Sequence, residues 1–130
     1  MRELIIIIIV LILIFSTAII TKNYLDRTSD ELVGKLENLK QEIYIAEQTK
    51  DNSKVKEISE KVNEEWENIE LKWALVVLHD ELDLIELALK GVKATADVDE
   101  LGDCMQETEK AMFLIGHIKQ KEAFKLKNIF

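Results

Sequence analysis

The chain has 130 residues, 17 of them Lys or Arg and 25 Asp or Glu, with no proline and a single cysteine. This acidity argues against nucleic acid as a partner, because phosphate binding needs a basic face. One cysteine excludes an intrachain disulfide framework and a multi-cysteine zinc site, and the length allows one domain of ordinary size and little more.

A mean hydropathy of -0.01 averages two unlike parts. Residues 4–21 carry no charge, whereas residues 23–130 hold 15 basic and 24 acidic side chains, a net charge of -9. The uncharged stretch is rich in β-branched residues, which in water would favour a strand. A lone strand cannot cross lipid with its backbone groups unpaired, so a helix is expected there. Eighteen residues at about 1.5 Å each span roughly 27 Å, close to a hydrocarbon core of about 30 Å. Ser16-Thr17-Ala18 fits a small-x-small cleavage pattern. No polar stretch precedes it, however, and Ile19-Ile20 resume the apolar run, so the sequence predicts an uncleaved anchor over residues 1–22. Lys22, Arg27 and Lys35 after the segment, against Arg2 before it, lean toward a cytoplasmic bundle by the basic-residue rule. Amino-terminal segments of this kind commonly export the chain beyond them, and an extracytoplasmic bundle is the expectation adopted.

After a linker at 23–27, Thr28-Ser29-Asp30-Glu31 reads as a capping box opening a helix at about 29–50. Leu32, Leu36, Leu39, Ile43 and Ala46 lay one stripe along it. Polar residues 48–53 form a turn with N-cap candidates. A long middle helix is predicted over 53–93, since neither proline nor glycine interrupts it before Gly91. Its stripe is Val55, Ile58, Val62, Trp66, Ile69 and Trp73. Residues 73–78 are then apolar on every face, which implies cover on more than one side. A turn at 91–96 and the Asp97/Glu100 signal open a last helix at 98–127, striped by Leu101, Met105, Thr108, Met112 and Ile115. Leu126 and Ile129 continue that face less regularly, and four lysines in 119–127 suit a helix carboxy end. The fold class expected is all-α: a transmembrane helix, then an antiparallel three-helix bundle (28–130). Folding the outer helices back places Leu32 near Trp73, Leu78 near Met112 and Leu75 near Ile115, around a shared aromatic centre.

Two short motifs carry a family resemblance. Leu78-His79-Asp80-Glu81-Leu82-Asp83-Leu84-Ile85-Glu86 resembles an H-x-E-L-D-x-I-E pattern, and Leu126-Lys127-Asn128-Ile129-Phe130 resembles a terminal L-x-N-I-F. With the two-tryptophan stretch and the anchor, they are similar to small membrane-anchored helical proteins of spore-forming Gram-positive bacteria, a family with a domain of unknown function. The resemblance implies a bacterial, membrane-attached protein and transfers no catalytic residue. Such proteins neighbour genes for small multi-span membrane proteins, which implies a partner of that kind.

The residues themselves offer little chemistry. His79 and Asp83, at i and i+4, could share a cation, but the Glu-x-x-His pairs of carboxylate-bridged bundles are missing. His79 is therefore expected to hydrogen-bond a carboxylate on a partly buried face. Asp80, Glu81, Asp83 and Glu86 read as a solvated helix face rather than paired acid–base groups. The six carboxylates of 97–109 lack calcium-loop spacing. Cys104 is expected to be a buried, inert thiol. No catalytic, cofactor-binding or metal-binding residue is assigned, and no enzymatic activity is expected.

What remains is a single-pass interaction protein in contact with the lipid bilayer, whose partner is another membrane protein, a multi-span one. His79, Asp80, Asp83, Asn128 and Phe130 are the candidate contact residues. The competing account of 128–130 is docking back onto the bundle near Val62. The alternative function is a homo-oligomeric coiled-coil scaffold pairing through the stripes at 32–46 and 55–66, and a weaker one is a ligand-sensing bundle.

Overall fold

A computed structural model describes residues 1–129; Phe130 and the side chains of Leu126 and Ile129 fall outside the described residues. The described chain is all helix: α1 Arg2–Thr49, α2 Ser53–Trp73, α3 His79–Asp97 and α4 Leu101–Ile129. The uncharged run and the first amphipathic stripe lie on one continuous helix, so the linker expected at 23–27 is helical and Leu25 is core. Thr28 is consequently not an N-cap. Its hydroxyl donates back to Tyr24 O at 2.8 Å, as a helix-interior threonine does.

The turn after α1 is built as its polar sequence requires. Lys50 takes φ 62° and its amide donates to Ala46 O at 2.9 Å, closing the helix with a left-handed residue. Asp51 Oδ1 then accepts from Ser53 N at 3.1 Å and from Ser53 Oγ at 2.7 Å, opening α2. Those bonds hold the Asp51 carboxyl below its usual range.

The predicted 40-residue middle helix is instead two helices, broken at residues 74–78. No proline or glycine causes the break. Leu78 adopts extended backbone (φ -62°, ψ 140°), and Asp80 and Glu81 occupy the first turn of α3, where carboxylates complement the helix dipole. The buried positions explain why one helix cannot serve. They run Val55, Ser59, Val62, Trp66, Ile69, Trp73 and Val77, then jump five residues to Leu82, out of phase with the stripe before it. Reversing the chain lets both stripes reach one core. Leu75 and Leu78, expected to meet Ile115 and Met112, are left exposed.

The expected turn at 91–96 also moves. α3 continues to Asp97, and the reversal falls at 98–100 with Asp99 at φ 61°. Gly91 is a close-approach residue within the helix: a Cβ there would stand 2.8 Å from Glu107 Oε2. On α4 the buried stripe is Cys104, Thr108, Ala111, Ile115 and Ile118, while Met105 and Met112 flank it half-buried.

Each helix packs on its two neighbours, α1 on α2 and α4, and α3 on α2 and α4. Residue numbers run in opposite senses along every neighbouring pair. Trp73 meets Thr28 and Glu65 meets Lys35. Asn63 Nδ2 reaches Leu89 O at 2.8 Å. Cys104 Sγ lies 3.6 Å from Val92 O, and Lys121 pairs with Glu81 at 2.7 Å. Asp30 pairs with Lys119 at 2.6 Å, and Lys40 with Glu109 at 3.5 Å. Inside the square, Leu32, Leu36, Leu39, Ile43, Ile85 and Leu89 are wholly buried, each contributing on the order of 2 kcal/mol of apolar burial. Trp66 and Trp73 pack edge to face, centroids 5.4 Å apart at 83°, the geometry the ring quadrupoles favour.

Candidate functional site

The two ends of this square differ in chemistry. The far end carries the polar turns at 50–53 and 98–100, tied together where Asp99 Oδ1 accepts from Asn52 Nδ2 at 2.8 Å and pairs with Lys56 at 3.1 Å. The near end is where α1 emerges from its uncharged segment. There the chain exposes apolar side chains that a solvated turn would not place: Leu71 is 76% exposed, Leu75 84% and Leu78 61%. Phe124 on α4 is 64% exposed. Val76 and Glu122 line one groove of about 460 Å³ together with Leu13, Ile14, Thr17 and Leu25 of α1. The α2–α3 turn therefore lies close to the level at which α1 leaves the uncharged segment.

Cations and a tyrosine ring the same level. Tyr24 is half-buried against the core, with the Arg27 guanidinium 5.7 Å and the Lys72 ammonium 5.4 Å from its ring centre, distances at which cation–π attraction operates. Lys22 pairs with Asp26 at 2.7 Å. Continuing the α1–α4 register set by Lys119/Asp30 brings Lys127 level with Lys22.

The candidate contact residues gather at this end. His79, Asp80 and Asp83 are exposed on the first two turns of α3, and Asn128 is exposed on the last turn of α4; Phe130 lies outside the described residues. His79 does not sit on a partly buried face as expected. Its side chain is 85% exposed, with Nε2 3.7 Å from Asp83 Oδ1, beyond hydrogen-bond reach. Among the described residues, no three of His, Cys, Asp or Glu stand close enough to hold a metal ion. The docking of residues 128–130 near Val62 turns on Phe130 and the Ile129 side chain, which lie outside the described residues; the described part of α4 packs on α1 and α3.

A second apolar surface lies midway up the bundle. Leu84 and Leu87 are exposed on α3. The α3–α4 register, fixed by Gly91 against Glu107 and Glu81 with Lys121, sets Leu87 level with Phe113 of α4. Phe113 is exposed and stacks on His117, centroids 6.2 Å apart. Nothing in the sequence pattern separates these residues from the core stripes except their phase.

Cys104 is buried between α3 and α4, and burial pushes its thiol above the ordinary range. The stripes at 32–46 and 55–66, which a coiled coil between chains would need, are already inside this one chain. No curated protein and no solved structure matches the chain. The match that does exist runs through the last residues of the uncharged segment and all four helices: the chain belongs to the family described as a domain of unknown function, DUF4363, which it matches over residues 19–129.

Proposed function

We propose that this protein is a single-pass, membrane-anchored helical interaction protein of a bacterial membrane, with the bundle on the extracytoplasmic side, and that it binds another membrane protein of the multi-span kind. One observation carries the proposal. An uncharged helical stretch long and apolar enough to span a bilayer, with none of it buried, continues without a hinge into the packed stripe that begins at Leu25. A soluble helix with this composition would be buried all round, so its covering must come from outside the chain. A cleaved leader is the competing account of the same segment.

The partner reading rests on what the fold leaves uncovered. The core consumes the regular stripes, while His79, Asp80, Asp83 and Asn128 at the near end, with Leu84, Leu87 and Phe113 above them, remain open beside any protein embedded in the same bilayer. Two measurements test it. An amino-terminal epitope should stay with the bundle in alkali-washed membranes; its loss would favour the cleaved leader. A photo-crosslinker at Asp83 in native membranes should capture a discrete integral membrane protein, and recovery of lipid and self alone would overturn the partner reading. The side of the membrane must be read from an exposed engineered thiol, such as Lys54→Cys, because Cys104 is buried.

A further inference from the structure

We propose that the α2–α3 turn is a second membrane contact: Leu75, Val76 and Leu78, with Phe124 of α4 at the same level by the α3–α4 register, seat in the interfacial layer of the bilayer that α1 spans. This rests on the spanning role proposed for residues 4–21. Three observations select lipid as the occupant.

The first is position. Val76 shares its groove with Leu13, Thr17, Thr21 and Leu25, and the α1–α2 register set by Thr28 with Trp73 and Lys35 with Glu65 puts it level with Leu25, four residues beyond Thr21, where the uncharged stretch ends. A helix rises about 1.5 Å per residue. Val76 thus lies about 6 Å outside Thr21, within a headgroup layer of roughly 5–7 Å when Thr21 marks the edge of the hydrocarbon. The second is composition. Leu75 and Leu78 are exposed on the short turn and Leu71 on the last turn of α2, whereas the two turns at the opposite end carry Asp51, Asn52, Ser53, Asp99 and Glu100, with Val98 as their exposed large apolar side chain. A bundle end surrounded by water on both sides would not differ in this way. The third is the ring of interfacial groups at that level, Tyr24 with Lys22, Arg27 and Lys72. Tyrosine and snorkelling cations are the residues that favour the headgroup boundary.

The contact has a mechanical consequence. One span fixes the bundle to the membrane at a point, and the turn supplies a second point on the far side of Trp73. Two points set which face of the bundle looks across the membrane plane.

The test uses the full chain in phosphatidylcholine–phosphatidylglycerol vesicles, with Cys104→Ala and one nitroxide label at Leu75→Cys, Leu78→Cys, Ile9→Cys or Lys54→Cys. Collision rates with oxygen and with a water-soluble nickel chelate are compared. Both leucines are exposed, so unfolding curves of their variants should match that of the Lys54→Cys chain. The expected result is an oxygen-to-nickel ratio at 75 and 78 several-fold above that at 54 and below that at 9. A lipid-like ratio at 9 with a water-like ratio at 75 and 78 would overturn the second contact and leave the span intact. Shielding of 75 and 78 from both reagents would overturn it in favour of a covering protein. A water-like ratio at 9 would overturn the span and the second contact together.

Discussion

Thr28→Val should be far more damaging than its near-identity of shape suggests. Thr28 is buried, and its Oγ1 accepts a 2.9 Å hydrogen bond from Nε1 of Trp73, itself wholly enclosed. Valine keeps the volume but offers no acceptor, so the indole N–H is stranded in the core. An unsatisfied buried donor costs about 1–3 kcal/mol. In a folded unit of about 100 residues each kcal/mol shifts the midpoint by roughly 4–8 °C, so the fall should be about 5–20 °C. Thr108→Val is the matched control. Thr108 is equally buried, but its hydroxyl donates, at 2.7 Å, to Cys104 O within its own helix, and the Cys104 thiol beside it has Val92 O as its acceptor, so its loss leaves no other residue's donor unpaired. Heat unfolding of the full chain in mild detergent, followed by tryptophan near-ultraviolet circular dichroism, separates the two. If Thr28→Val falls no further than Thr108→Val, the bond does not tie α1 to α2.

Ser29→Ala should be neutral or slightly stabilising by the same unfolding assay, because Ser29 Oγ is buried without a hydrogen-bond partner among the described residues and alanine is the better helix former; a loss above about 1 kcal/mol would mean the hydroxyl has a partner after all. Cys104 should resist maleimide in the folded chain and react once denaturant opens the bundle, since it is enclosed and its thiol is held protonated by burial; labelling at the rate of a free thiol would refute its placement. The clamp at Asp99 should be pH-dependent. Its carboxyl is lowered, first by the Asn52 amide and then by Lys56, so its contribution is present above the ordinary carboxylate range and is lost as pH falls through the lowered value. Asp99→Asn should therefore lower the midpoint at pH 7 and make progressively less difference below about pH 4. A gap that persists in acid would refute the charge account, because asparagine accepts φ 61° at least as readily as aspartate.

Much of the helical content was legible because it rests on spacing. Leu32, Leu36, Leu39, Ile43 and Ala46 are buried as their spacing requires. What misled was a reliance on breakers. With no proline or glycine near 74–78, the sequence reads as one helix; the reversal is imposed by the core, which must admit Trp73 and Leu82 from stripes of different phase. Asp80 and Glu81 were the local signal, a first turn of carboxylates behind an apolar run. The same dependence on spacing hid the linker's absence: Thr28-x-x-Glu31 satisfies a capping box, yet a threonine inside a helix can bond back to Tyr24 O instead, and only the neighbouring Trp73 decides between them. The candidate residues His79, Asp80, Asp83 and Asn128 do share one end. Leu75 and Leu78, read as core because they are apolar, are exposed at that same end. Apolar character reports affinity for a non-aqueous surface, and a chain folded beside a bilayer has two such surfaces to choose between.

The continuity of α1 gives the proposed anchoring its directional content. A flexible tether after a membrane span would let a bundle sample every orientation, and a binding face would then act only by raising local concentration. Here Thr28 is held by Trp73 of α2, and Asp30 by Lys119 of α4. Two residues apart on a helix is about 200° of rotation, so α1 is gripped on opposite sides within its first bundle turns. Thr28 lies only about 10 Å of helix beyond Thr21, too short a distance for an unbroken helix to bend appreciably. Rotation of the span about its own axis would therefore turn the bundle with it. On the proposed reading, a partner that packs against one side of residues 4–21 in the lipid meets one predetermined face of α3 and α4 above it. Recognition within the membrane and recognition beside it become parts of a single rigid surface.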